Sequence, residues 1–484
     1  MPASSPPATS LLALAERNAA LNPNHLAVAG PAQRFTWAEL LARAEAFAAT
    51  VSRRNLAPGD RVCLCLPSAP VWVAAFLALR RLGLTAVSIG DRARPAELDA
   101  LVSRFNVRLV LTEDDLCSCR PSGLRDLPKS AASLRSNAAL IHLTSGSSGT
   151  PKGVLRTEPD LTEEARNVAT ALRLIPDDAV LCATPVYHSF ASGLLAACLY
   201  AATPCLLMDR LAPATLLDLA GREKASVIAG VPYVFETLTS LSSKQTLPAL
   251  RLAVSGGAHL HPATASRFRD RFGAPLVQEY GLSEAGIVTL NLDGPPASAG
   301  PPIPNVELRI ADTTDPTRDL PPGAIGEVMV RRAFPPSGYL DHPTETRETF
   351  TPHGIRTGDL GRLDASGRLT LTGRIKAMIN VAGAKVAPRE VEDALLAHAG
   401  VSEAVAFALP DAALGEAVAA VVVPRPAAVI TERALRDHCR ALLSTYKVPA
   451  LIHFETDLPR TVSGKPDLPR IRREFSPGGT SEWT

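Results

Sequence analysis

The 484-residue chain is short of charge imbalance, of long apolar runs and of metal- or disulfide-style cysteine spacing. Each shortage removes a class of function. Fifty Lys and Arg against 48 Asp and Glu leave a formal net charge of +2, far from the basic excess a nucleic-acid-binding surface requires. Arg470, Arg472 and Arg473 make only a short basic run, read as solvated surface. Eight cysteines in so long a chain form no disulfide framework. Cys63 and Cys65 stand as C-x-C in an apolar run, which predicts two core thiols on one face of a strand. Cys117 and Cys119 repeat the spacing in a polar stretch, and no C-x-x-C or H-x-x-x-H nearby completes a metal site. All eight read as the reduced thiols of a cytoplasmic protein. The first residues carry no basic start, and Glu16 and Arg17 interrupt their apolar stretch, which argues against a secretory signal. The most apolar helix candidate, 70–79, stops at Arg80 and Arg81, far short of the roughly 20 residues a membrane span needs. A soluble protein is expected.

What is present is material for a large core: 46% of residues are hydrophobic, enough for one big domain and a smaller one. Residues 1–9, rich in Pro, Ser and Ala, read as disordered. Thr36 with Glu39 three residues on makes a capping box ahead of a helical apolar pattern. Beyond it, short apolar runs (RVCLCL, TAVSIG, VRLVLT, AVLCATP, TPCLLM, SVIAGVP) alternate with helical stretches. That alternation predicts βαβ units and an α/β fold. From about residue 305 the strand candidates VELRIA, GEVMVR and GRLTLTG are separated by Pro- and Gly-rich turns, which predicts an antiparallel β section. After Lys376 a helix, a strand pair and a second helix predict a small α+β domain. The expected organisation is a large N-terminal domain over 1–375, of α/β subdomains plus the β section, and a mobile lid domain over 376–484.

The strongest chemical signal is LTSGSSGTPKG, residues 143–153. It follows the apolar run ALIHL and so leaves a strand. Gly146, Gly149 and Gly153 free the backbone to turn its N–H groups towards an anion. Thr144, Ser145, Ser147, Ser148 and Thr150 add hydroxyls, and Lys152 adds a positive charge. The loop suits the β- and γ-phosphates of ATP without being a Walker loop, whose G-x-x-x-x-G-K-[ST] spacing is absent. By composition alone it also fits a Gly/Ser linker. Further along stand SGGAHL (255–260), QEYGLSEAG (278–286), RTGDLGRLDASGRLTLTGR (356–374), GRIKAMINVAGAKVAPREVE (373–392) and LPRTVSGKPD (458–467).

Taken in this order, the motifs resemble the adenylate-forming superfamily of acyl-CoA synthetases, peptide-synthetase adenylation domains and firefly luciferase. The resemblance runs from about residue 10 to 473 and is nearest to 4-coumarate and fatty acid–CoA ligases. It implies an ATP-dependent acid–thiol ligase that forms an acyl-adenylate, releases pyrophosphate and makes a thioester. ATP, Mg2+ and CoA are the implied cofactors; a stand-alone enzyme loading the phosphopantetheine of a carrier protein is the alternative. By the same resemblance Tyr280 packs on adenine, Ser283 lies near the α-phosphate and Glu284 holds magnesium. Gly256, Gly257 and Ala258 line the adenine face. Asp359 holds the ribose hydroxyls, a task suited to a carboxylate that accepts two hydrogen bonds, and Arg374 joins it. Lys376 is the hinge, Gly383 lines the thiol tunnel, and Lys465 contacts the carboxylate and α-phosphate. Glu327 and Tyr339 are read as structural.

The segment ATPVYHSFASG (183–193) matches the element that gates the acyl pocket. Adenylation domains for α-amino acids carry an Asp after the aromatic residue; here Tyr187 is followed by His188, which disfavours an α-amino acid. The resemblance places His188 beside the substrate carboxylate. It places Tyr187, Gly256, Gly281, Ile287 and Val288 around an aryl or acyl group. Partners are a small carboxylic acid and CoA or a carrier protein, with no nucleic acid and no membrane insertion.

Overall fold

Runs that are apolar along their whole length become strands buried on both faces, the usual state of a parallel sheet covered by helices. The computed structural model describes residues 10–475 apart from 92, 114–136, 145–150, 244, 297, 412, 427 and 462–464. It divides into two compact units, Met1–Leu308 with Val330–Arg356, and Arg309–Met329 with Thr357–Thr484. Residues 1–9, Cys117 and Cys119 fall outside the described residues.

In the first unit the strands are, in chain order, β1 (Leu26–Ala29), β2 (Arg34–Thr36), β3 (Arg61–Leu66), β4 (Thr85–Gly90), β5 (Leu109–Leu111), β6 (Leu140–Thr144), β7 (Lys152–Arg156), β8 (Val180–Cys182), β9 (Cys205–Leu207), β10 (Val227–Gly230), β11 (Leu252–Ser255), β12 (Leu276–Leu282) and β13 (Gly286–Leu290). They form two sheets. One runs β5-β3-β4-β6-β7 and the other β13-β12-β11-β10-β8-β9-β1-β2. The RVCLCL run is β3, buried throughout and parallel to β4 and β5. Cys63 and Cys65 share a core with Val87, Ile89 and Ile141, as their spacing predicts. In the longer sheet β8, β10, β11 and β12 are parallel neighbours, and β12 turns back into antiparallel β13. The Thr36 capping box opens the helix Trp37–Ser52, with both reciprocal bonds made.

The dividing line between the units runs through β14 (Val306–Ala311), β15 (Gly326–Arg332) and β17 (Gly354–Leu363), which with β16 (Phe350–Thr351) and β18 (Leu369–Arg374) are the expected β section. β17 pairs antiparallel with β16 and with β18. The second unit continues as β19 (Ile379–Val381), β20 (Ala384–Val386), β21 (Val401–Asp411), β22 (Gly415–Pro424) and β23 (Leu451–Phe454). Its helices Pro388–Leu396 and Glu432–Leu442 pack on that sheet through Val391, Leu395, Leu435 and Cys439. A last helix, Leu468–Phe475, buries Ile471 and Phe475 and leaves Arg472 and Arg473 exposed. Lys376 lies inside this second compact unit, because packing joins Thr357–Arg374 to the chain beyond it. Among the described residues no helix is long and apolar enough to cross a membrane.

Candidate functional site

The ends of the phosphate-loop segment are fixed by the β6–β7 hairpin. Thr144 is paired with Lys152, Leu143 with Gly153 and His142 with Val154. Ser145, Gly146, Ser147, Ser148, Gly149 and Thr150 lie outside the described residues. Gly153 is not a loop glycine. It sits in β7, where a Cβ would come within 2.8 Å of Ile141 and of Phe105, so its smallness serves packing.

Lys152, at the first position of β7, reaches Glu345 (Nζ to Oε1, 3.3 Å) and stands 5.3 Å from the centre of the Tyr339 ring. Segment 337–340 continues the edge of β7. Ser337 N–H donates to the Leu155 carbonyl, Leu155 N–H to Gly338 and Leu340 N–H to Gly153. That pairing delivers Tyr339 to Glu284, where its hydroxyl donates to Oε1 at 2.8 Å. Burial, then the Glu284 carboxylate, push the phenol well above its ordinary range, so it stays a donor. Lys152, Tyr339 and Glu284 thus lie together in one constellation. Tyr339→Phe is expected to lower kcat/KM for pyrophosphate exchange by roughly 10-fold, as for loss of one hydrogen bond to a charged group. It is also expected to raise the Mg2+ concentration giving half-maximal rate. An unchanged Mg2+ dependence would return Tyr339 to a packing role.

Glu284 sits in the tight turn between β12 and β13, with Gly286 at φ +67° and Ala285 N–H bonded back to Leu282. No helix follows this turn, and the Ser283 hydroxyl meets Ser189 Oγ at 3.1 Å. Tyr280 is buried in β12. The SGGAHL segment leaves β11. Gly256 N–H bonds to the Gly230 carbonyl, Gly257 turns at φ +76°, and Leu260 N–H is received by Gln278 Oε1. Ala258 follows in this half-exposed turn.

His188 precedes the helix Ser189–Ala201 in extended backbone geometry, and its ring lies 4.9 Å from that of Tyr187. Tyr187 in turn packs on Gly90, where a Cβ would approach its ring to 2.9 Å. Behind the helix start, Ser192 Oγ meets His142 Nε2 at 2.9 Å. His142 was not singled out by its sequence, yet it is fully buried, and burial, aided by Arg156, depresses its pKa to about 3. A histidine held neutral in the fold and near 6.5 when unfolded stabilises the protein fully above pH 6.5. That contribution is lost as pH falls from about 6.5 to about 3, at no more than about 1.4 kcal/mol per pH unit. His142→Leu is therefore expected to flatten the acid side of the stability profile, read as unfolding midpoint against pH, whatever it does to the neutral value. A slope equal to the wild type's would mean that other groups govern it.

Beneath the β12–β13 turn lies a buried ion network that the sequence did not announce. Arg156, at the end of β7, meets Asp160 and Glu164 on the helix Glu158–Ala171, with Nη2 2.9 Å from Asp160 Oδ1 and 2.5 Å from Glu164 Oε2. Arg332 stands 3.6 Å from Asp160 and 3.5 Å from Glu163. Asp160 and Glu164 hold the Arg156 guanidinium protonated against the penalty of burial. Two guanidiniums face three carboxyls, and two of the acids also accept from backbone. Ile287 N–H donates to Glu164 (2.9 Å), and Phe334 N–H to Glu163 (3.2 Å). Arg332 also donates to the Ala285 carbonyl. Glu164 fills the space that a Cβ on Gly193 or on Gly286 would claim (2.6 and 2.3 Å). The turn carrying Glu284 is therefore held from below by fixed charges. Ile287 and Val288 follow it, buried in β13.

The second unit brings together two of its expected residues. Asp359 and Arg374 are paired across β17 and β18, and Arg374 Nε donates to Asp359 Oδ1 at 2.6 Å. The aspartate is 6% exposed at its side chain and the arginine 67%, so the carboxylate is fixed while the guanidinium remains reachable. Lys376 is exposed in the single 3-10 turn Ile375–Ala377. Gly383 and Ala382 have φ of +89° and +48° between β19 and β20, as a two-residue hairpin turn with both centres at positive φ demands. Lys465 is exposed, and its carbonyl accepts from Thr461 N–H (2.8 Å) beside the bridge Arg460–Pro466.

Among the described residues there is no group of three or more His, Cys, Asp or Glu able to cage a metal. One fixed carboxylate, Glu284, held by the Tyr339 hydroxyl, fits a magnesium ion carried mainly by substrate phosphates and water.

Residues 15–340 match the AMP-binding enzyme family, and residues 390–465 match the AMP-binding enzyme C-terminal domain. Feruloyl-CoA synthase of an Amycolatopsis species is 30% identical over 482 residues, 95% of this chain and 98% of that one. Sulfoacetate–CoA ligase of Cupriavidus necator is 31% identical, over 89% and 91% of the two chains. Among solved structures, ATP-bound MatB from Rhodopseudomonas palustris superposes with a TM-score of 0.85 at 27% identity, over 96% of this chain and 99% of its own. The protein is a member of the AMP-binding, adenylate-forming enzyme family.

Proposed function

We propose that the protein is an AMP-forming carboxylic acid–CoA ligase acting in the cytoplasm. The observation that carries this reading is the end-to-end similarity to acid–CoA ligases together with the clustering of Lys152, Tyr339 and Glu284 at the mouth of the phosphate loop. The substrate carboxylate attacks the α-phosphorus of ATP, the bond to the β-phosphate oxygen breaks, and pyrophosphate leaves. Lys152, with Thr144 and the loop 145–150, takes the leaving phosphates. Lys465 neutralises the charge gathering on the pentavalent phosphorus, the kind of preorganised electrostatic help that dominates such transfers. Glu284, kept in place by Tyr339, would hold Mg2+, which supplies charge neutralisation on the phosphates when bound.

Tyr280 packs on adenine, with Gly256, Gly257 and Ala258 beside it and Ser283 near the α-phosphate; Asp359 and Arg374 take the ribose. His188 with Tyr187 orients the acid, whose acyl group is walled by Gly256, Gly281, Ile287 and Val288. In the second half-reaction residues 376–484 turn about Lys376, and the CoA thiol attacks the acyl carbonyl past Gly383, releasing AMP. Nothing in the described site favours a carrier protein over CoA. The test is acid-dependent ATP–pyrophosphate exchange over aryl, short, medium and long-chain acids, with thioester detection when CoA is added. Exchange followed by an acyl-CoA product supports the ligase; exchange without one leaves an adenylating enzyme with another acceptor.

A further inference from the structure

Two hydroxyls tie the β12–β13 turn to the helix Ser189–Ala201, Ser283 Oγ standing 3.1 Å from Ser189 Oγ. Only one of their two protons can lie between them, and its direction decides what Ser283 offers a ligand. If Ser283 donates to Ser189, it turns only lone pairs outward, which repel a phosphate oxygen. If Ser189 donates, the Ser283 proton is free for an anion. The surroundings of Ser189 favour the second direction. It is the first residue of its helix, where the leading N–H groups have no carbonyl partner within the helix. Their positive field draws the lone pairs of the Ser189 oxygen towards the helix and sends its proton outward. The same turn is held from behind. Ser192 Oγ donates to the Ser189 carbonyl at 3.0 Å and meets His142 Nε2 at 2.9 Å. With the one hydroxyl proton of Ser192 directed to that carbonyl, the buried, neutral imidazole supplies the proton of the second bond from Nε2. His142 stands in β6, two residues before Thr144 and the phosphate segment, so the strand that leads to the phosphates also sets the position of Ser189.

We propose that Ser189 is a positioning residue of the adenylation step: its hydroxyl donates to Ser283 and so directs the Ser283 proton to an α-phosphate oxygen of ATP, while His142 and Ser192 hold the helix turn in register. This rests on the ligase reading of the same site, which puts Ser283 near the α-phosphate. A hydroxyl that already accepts one hydrogen bond is a better donor for the next, because the two bonds polarise each other. A charged acceptor oxygen makes that next bond roughly twice as strong as a neutral one would. Ser189 adjoins His188, so the groups that meet the acid and the nucleotide leave one helix start at consecutive positions.

The test reads nucleotide binding, which requires no knowledge of the acid. The full chain with Mg2+ is titrated calorimetrically with ATP and with its two α-thio diastereomers, in which sulfur, a poor acceptor, replaces one or the other non-bridging oxygen of the α-phosphate. For the wild type, one diastereomer is expected to bind about 5- to 10-fold more weakly than ATP. Ser283→Ala is expected to weaken ATP binding by a similar factor and to remove the part of the sulfur penalty that the hydroxyl causes. Ser189→Ala is expected to weaken ATP binding roughly 2- to 5-fold and to shrink the same penalty. Ser189→Thr, which keeps the hydroxyl, is expected to restore both. Added to Ser283→Ala, Ser189→Ala is expected to change nothing further. Alanine suits the first turn of a helix, so the variants are expected to fold. Losses at the two serines that add in full, or equal sulfur penalties in the wild type and Ser189→Ala, overturn the role of Ser189 and leave the ligase reading standing. A wild-type chain that binds neither ATP nor either analogue overturns the ligase reading and this proposal with it.

Discussion

Lys465→Ala is expected to slow acid-dependent pyrophosphate exchange by about 10²- to 10³-fold, the usual cost of removing one preorganised donor from a charged transition state. The same variant, supplied with synthetic acyl-adenylate and CoA, should form thioester at close to the normal rate. The asymmetry follows from where charge builds up. Adenylation brings a carboxylate against a phosphate and concentrates negative charge on the phosphorus, whereas the thiol attacks a neutral carbonyl whose leaving group is already an activated phosphate. Lys465 sits at an exposed position in a short turn of the second unit, so its replacement removes no core packing and a loss of activity can be assigned to chemistry. Stopped-flow measurement of the two half-reactions separates the outcomes. Equal losses in both steps would refute the assignment of this lysine to adenylation.

Arg156→Met is expected to cost about 3–5 kcal/mol of stability, the range found when one member of a buried ion network is removed and its partners stay. Asp160 would keep only the longer contact with Arg332, at 3.6 Å, and Glu164 only the Ile287 N–H. The loss should appear as a lower denaturant midpoint for the first unit. Because Ile287 N–H is bound to Glu164 and the Ala285 carbonyl to Arg332, the KM for ATP should rise as well. Arg156→Met combined with Asp160→Leu and Glu164→Gln should regain much of the stability, since neither partner of the lost arginine is then left as a buried charge. If Arg156→Met unfolds at the wild-type midpoint, the network contributes no stability.

Much of the fold could be read from the residues because the informative segments are local. RVCLCL and TAVSIG declare buried strands by their length and composition, and the Thr36 box declares a helix start. The glycine- and hydroxyl-rich stretch after ALIHL declares a loop leaving a strand; its first end does leave β6, while Lys152 and Gly153 at the other end lie in β7. Less legible was everything set by pairing between distant segments. That β8 lies between β9 and β10, with β1 and β2 at the far edge, depends on contacts across nearly two hundred residues, and no local pattern encodes it. EPDLTEEARNV reads as a solvated helix face. Its acids are buried only because i, i+4 spacing points Asp160 and Glu164 at an arginine from the preceding strand. The Tyr339–Glu284 bond was illegible for a similar reason: the two residues are 55 positions apart. Arg309–Met329 joins the second unit by packing, which a reading organised around Lys376 does not anticipate.

Gly256 and Glu279 share one volume. With only 1.9 Å between a Cβ at 256 and the carboxyl oxygen at 279, alanine at the first position makes the glutamate side chain at the second give up its present rotamer. Any attempt to reshape this wall by directed evolution therefore meets a barrier if it changes one codon at a time. Side chains at 256 alone force Glu279 to shift, and small residues at 279 alone leave a hole floored by glycine. Libraries that randomise the two codons together, so that a small residue at 279 arrives with a side chain at 256, open sequence space that stepwise selection would miss.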